Sequence, residues 1–88
     1  MSLRPTTVRF RGQRTLWGTC NSKGVISLNW KLILAPDWVI DSVLVHELAH
    51  LKHLDHSKEF WQLVNSHFPR YKEAKSWLKI NGPGLEVI

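Results

Sequence analysis

Cysteine is nearly missing from this chain: Cys20 is the only one in 88 residues. An internal disulfide is therefore excluded, and a reducing compartment, hence a cytoplasmic location, is expected. Acidic residues are scarce, with seven Asp and Glu against twelve Lys and Arg and a formal charge of +5. No apolar run approaches the roughly 20 residues that a membrane-crossing helix needs, so no membrane role is expected. No apolar stretch follows Arg4 either, so no secretory signal is expected in this segment. Repeats, low-complexity tracts and interdomain linkers are also missing. A chain this short forms one small domain, which buries only roughly 60% of its unfolded surface. A bound metal or further chain would help to hold such a core together. Tryptophan, by contrast, is abundant: Trp17, Trp30, Trp38, Trp61 and Trp77 supply large buried areas.

The boundaries follow from local chemistry. Residues 1–14 read as a poorly defined N-terminal segment, the remnant of a longer protein, and Met1-Ser2-Leu3 reads as an added leader. Within that segment Val8 and Phe10 alternate with Arg9 and Arg11, a pattern for a short or edge strand. Residues 15–88 read as the core. Strands are expected over 16–20 and 25–28, joined as a hairpin by Asn21-Ser22-Lys23-Gly24, where Asn and Ser accept local hydrogen bonds and Gly permits positive φ. Pro36 is expected to open a helix running to about residue 52, with Asp37 favourable near its positive end. That helix is apolar nearly all round, with Asp41 and Lys52 marking its wet stripe, so it should be the buried centre of the domain. Ser57 is a cap for a second helix over 58–67, stopped by Pro69. A third helix over 71–80 ends at Asn81-Gly82.

The central helix contains His46-Glu47-Leu48-Ala49-His50. Histidines four apart lie on one helical face, where both imidazoles reach one zinc ion at about 2.0–2.1 Å. Glu47 is turned about 100° from His46, out of the ligand shell and within reach of a water. A catalytic zinc needs a third protein ligand and one open position. His53, Asp55, His56 and Glu59 are candidates. His53 lies about 10 Å along the axis from His46, too far unless the helix breaks early. His56 falls ten residues after His46, the spacing of the extended motif H-E-x-x-H-x-x-G-x-x-H, and is favoured over the other three. In that motif a glycine makes the turn. Here His53 stands in its place, so a strained positive φ is expected there.

Other residues have simpler readings. His53 is a solvated histidine or a support for a ligand, His67 a favourable partner of a helix end, Cys20 a packing residue, and Phe60 and Trp61 core. Tyr71 is a lesser candidate for an oxyanion donor. The basic residues form two clusters, Arg4, Arg9, Arg11 and Arg14, then Arg70, Lys72, Lys75 and Lys79. These give a soluble surface first, and a face for DNA or acidic partners second.

Taken as an ordered set, Leu16-Trp17-Gly18-Thr19-Cys20-Asn21-Ser22-Lys23-Gly24, Ile26-Ser27-Leu28-Asn29-Trp30, Val45-His46-Glu47-Leu48-Ala49-His50-Leu51 and His56-Ser57-Lys58-Glu59-Phe60-Trp61 resemble the YgjP-like metallopeptidases. They are also similar to the SprT-like and WLM groups of DNA–protein-crosslink proteases. The resemblance spans residues 15–81. It implies an α+β, minimal zincin-like domain: a small antiparallel sheet packed on the H-E-x-x-H helix, its edge strand beside the cleft, with two further helices. It also implies His46, His50 and His56 as zinc ligands and Glu47 as the catalytic glutamate. The expected activity is zinc-dependent hydrolysis of peptide or protein substrates, with water activated by Glu47. The alternatives are a non-catalytic zinc module that binds DNA or protein, a protease acting on DNA-bound proteins, and a hydrolase of non-peptide amides.

Overall fold

A computed structural model describes residues 7–12, 15–82 and 84–87. Arg4 and Arg14 of the first basic cluster, and the leader-like residues 1–3, lie outside them.

The hairpin forms as its turn chemistry requires. Strands β2 (Leu16–Cys20) and β3 (Val25–Asn29) pair antiparallel. Between them, Asn21 Oδ1 accepts from the Lys23 and Val25 backbone N–H groups at 2.9 and 3.0 Å. Gly24 takes φ +82°, a conformation that penalises any side chain. Strand β1 (Thr7–Arg11) lies along the outer side of β3, and its residues are exposed, as suits an edge strand. A short strand β4 (Glu86–Val87) closes the other side against β2. The sheet order is β1-β3-β2-β4.

One expectation about the sheet is corrected here. The α+β class stands, but the sheet is mixed rather than antiparallel, because β1 joins β3 and β4 joins β2 in parallel. The hairpin imposes antiparallel pairing only on the two strands that it links. β4 covers the outer side of β2.

One 3₁₀ turn, Trp30–Leu34, links the sheet to the first helix, with Asn29 Oδ1 accepting from the Lys31 N–H at 2.9 Å. Helix α1 (Asp37–Ala49) starts one residue later than expected, with Pro36 in the cap position rather than the first turn, and it stops at His50 instead of residue 52. Helices α2 (Lys58–His67) and α3 (Tyr71–Asn81) follow the predicted bounds closely. Ser57 Oγ accepts from the Phe60 N–H at 3.3 Å and starts α2. Phe68 caps its end just before Pro69.

The main core lies between the sheet and α1, where Trp17, Ile26, Leu28, Val39 and Val43 meet Leu78 of α3. A second cluster, Ala49, Phe60 and Val64, joins α1 to α2. α1 therefore contributes to both, which explains why its sequence is apolar nearly all round.

Candidate metal centre

His46 lies in the last turn of α1 and His50 caps its end, both buried. The chain then turns back through residues 51–57, and His56 arrives just before the Ser57 cap of α2. One nitrogen of each of the three imidazoles lies within 4.8 Å of the others. Ring centroids are 5.1 Å apart for His46 and His50, 5.3 Å for His46 and His56, and 4.9 Å for His50 and His56. His46 and His50 are buried, while His56 is exposed and opens the group to one side.

Among the described residues this is the only such group, and His53, Asp55 and Glu59 are not part of it. Asp55 instead accepts from the Ser57 N–H at 3.3 Å. His53 offers its backbone carbonyl to Nδ1 of His50 at 3.0 Å. A carbonyl only accepts, so Nδ1 carries the proton and Nε2 of His50 keeps its lone pair.

The expected strain at His53 does not occur. Among the described residues no side-chain-bearing position has positive φ. The turn is made instead by Leu51, Lys52 and His53 N–H groups donating to the Leu48 and Ala49 carbonyls at 3.0–3.1 Å. These bonds unwind the helix end without needing a glycine.

Phe60 forms a floor under the group. It is fully buried, stacks on His50 at 4.5 Å, and lies 5.0 Å from His46 and 5.1 Å from His56. The core reading of Phe60 therefore holds, with an added effect: one ring limits the tilt of three imidazoles. Trp61 packs against the second core cluster, as its core reading expects, but only in part. It is half-buried, stacks on His56 at 5.6 Å and on Tyr71 at 5.3 Å, and faces a cleft. Its place two turns from Pro69 on an amphipathic helix gave no sign of this.

Glu47 lies on the sheet side of α1, fully buried. Neither carboxylate oxygen has a hydrogen-bond partner among the described residues. Burial pushes its carboxyl from the usual 4.5 up to about 8. An unpartnered carboxyl is costly to bury in the apolar interior of a protein. Three imidazole nitrogens within 4.8 Å of one another are a donor set that fits a metal ion.

Gly18 of β2 makes room for this carboxylate. A Cβ there would lie 3.2 Å from Glu47 Oε2 and 3.0 Å from Val43 Cγ1. Cys20 sits nearby, and burial, with the Glu47 charge adding to it, pushes its thiol up. It is thus a poor thiolate, in keeping with a packing role. His67 is exposed in the last turn of α2, where the helix dipole favours it.

A cleft of about 470 Å³ opens beside His46 and His56, bounded by Trp17, Trp61 and α3. Tyr71 lines it too. Among the described residues no helix is long and apolar enough to cross a membrane.

Residues 1–81 match the model of the YgjP-like metallopeptidase domain. The crystal structure of the metallopeptidase zymogen of Pyrococcus abyssi abylysin superposes with a TM-score of 0.84 at 29% identity, covering 96% of this chain and 86% of that one. A 41-residue stretch is 42% identical to the Escherichia coli (strain K12) UTP pyrophosphatase, covering 47% of this chain. That stretch spans 25% of the length of the Escherichia coli protein.

Proposed function

The chain belongs to the YgjP-like metallopeptidase family, and from that premise we propose that it hydrolyses peptide bonds at a zinc ion held by His46, His50 and His56, with Glu47 as general base. The observation that carries this reading is the Glu47 carboxylate: buried, unpartnered and one residue from a ligand. When bound, zinc supplies Lewis acidity toward a carbonyl oxygen and toward water. The chain supplies the rest. The His53 carbonyl orients His50, and Phe60 limits ring tilt. Burial pushes the Glu47 carboxyl up to about 8, and a cation held by the neighbouring histidines would lower that value and favour the carboxylate. A base poised there takes a proton from water at Oε and returns one to the leaving amine. His56, the exposed member, leaves the cleft side open for substrate.

The test combines metal content with turnover. Wild type should carry about one zinc per chain, with three protein ligands and an open position. His56→Ala should lose most of it. Glu47→Gln should keep zinc and lose about 10²–10⁴-fold in peptide hydrolysis. Undiminished turnover by Glu47→Gln would end the assigned role, and equal zinc in His56→Ala would remove that ligand.

A second reading is hydrolysis of a nucleoside triphosphate at the same site, favoured by the likeness to the Escherichia coli UTP pyrophosphatase. Incubation of the zinc-loaded chain with UTP and, separately, with mixed peptides distinguishes the two by their products. Zinc uptake with neither activity would favour the non-catalytic module, whose DNA affinity should then fall with salt.

A further inference from the structure

Helix α3 places lysines at 72, 75 and 79, which at 100° per residue fall within one stripe about 60° wide. Lys75 and Lys79 line the cleft that holds His46 and His56. They also line an adjoining hollow of about 530 Å³ that includes Lys72. Among the described residues no carboxylate lines either one. Glu73, the sole acid of α3, is turned to the other side, where it pairs with Arg70 at 3.1 Å. Like charges three and four apart weaken a helix. Lys79 has an ordinary reason for its place, since the last turn of a helix favours a cation. Lys75 has none of that kind. Its Nζ instead lies 5.5 Å from the centre of the Trp61 ring, the ring that stacks on His56. Trp17 also lines the cleft, and its buried indole N–H has no partner among the described residues.

Together these are cations and a buried donor without an acceptor, on low-dielectric walls beside the candidate metal centre. We infer that Lys75 and Lys79 form a subsite for an anionic group of the substrate, a carboxylate or a phosphate, placed in the cleft next to His56. The inference rests on the reading that substrate is bound at the histidine group, and it is independent of which bond is cut there. Cations with no carboxylate beside them on a concave, partly apolar wall focus the field and concentrate anions. A substrate with its negative charge next to the bond cut would be seated by it, and a neutral analogue would not.

The test reads binding without turnover. The full chain is titrated with inorganic pyrophosphate and, separately, with glutarate, following the indole N–H signal of Trp61 by NMR. Saturable movement of that signal is expected. Lys75→Gln combined with Lys79→Gln should weaken it about tenfold, the loss of two partly screened charges. Lys31→Gln removes the same charge from a turn that lines neither hollow and should leave binding unchanged. Response to pyrophosphate alone supports a subsite for phosphate, and response to glutarate alone supports one for a carboxylate. No movement with either ligand overturns the inference, and so does equal weakening by Lys31→Gln. Failure here leaves the peptidase reading to its own test, because Glu47→Gln and His56→Ala do not touch these lysines.

Discussion

Glu47 keeps its proton in the folded chain up to about pH 8, whereas the usual value is 4.5. The unfolded chain gives the proton up first. Between those two values the folded state holds more protons than the unfolded state, so stability falls as pH rises across this window. Below it both states are protonated and the group makes no difference. For the chain stripped of metal, urea midpoints should therefore be lower at pH 8 than at pH 5, and Glu47→Gln should flatten the trend. A wild-type midpoint that rises over the same range would contradict the buried, unpartnered carboxyl. Gly18 is the second residue with a sharp expectation. Because a Cβ would crowd Val43 and the Glu47 carboxylate, Gly18→Ala should cost about 1–3 kcal/mol of stability, read by denaturant unfolding. It should also reduce hydrolysis more than it reduces zinc content. Sequence placed Gly18 in a strand, but the side chain packed on that strand comes from a helix some thirty residues on, and no local pattern reveals it.

At the scale of elements, caps and turns were legible because their causes are local. Asn21 and Gly24 build the hairpin turn, and Ser57 and Pro69 bound α2. Ser57→Ala should therefore cost about 1 kcal/mol in thermal unfolding. It should also weaken zinc binding, since the N–H that Ser57 caps belongs to Phe60, the ring under the three histidines. Unchanged zinc affinity would show that the floor does not depend on the first turn of α2. What failed was non-local. Whether β1 runs with or against β3 depends on a partner some eighteen residues away, and β4 joins a strand at the other end of the chain. That His46, His50 and His56 come together was legible from spacing. The way the chain turns to deliver His56 was not, because three backbone bonds at the helix end replace the glycine that the motif led one to expect.

For the whole molecule, the histidine group bridges α1 and the start of α2, which otherwise meet through the small cluster of Ala49, Phe60 and Val64. A metal held there would tie the second cluster to the first. A ligand at 1,000 times its dissociation constant stabilises by about 4 kcal/mol. In a domain of this size that corresponds to a rise in Tm of roughly 15–30 °C, at about 4–8 °C for each kcal/mol. Calorimetry with zinc and with a chelator should show a shift of that order in wild type and little in His56→Ala. No shift in wild type would separate the histidine cluster from the stability of the fold.

The strand order has a consequence for behaviour in concentrated solution. One margin of the sheet is β1, which carries Arg9 and Arg11, and the other is β4, only two residues long. Charge on the first and brevity on the second leave a stray chain little to copy. A version beginning at residue 15 would remove that guard and bare β3, with Ile26 and Leu28 on it, to any extended segment it meets. The arginine-bearing strand thus acts as a colloidal stabiliser for a core too small to tolerate an open seam.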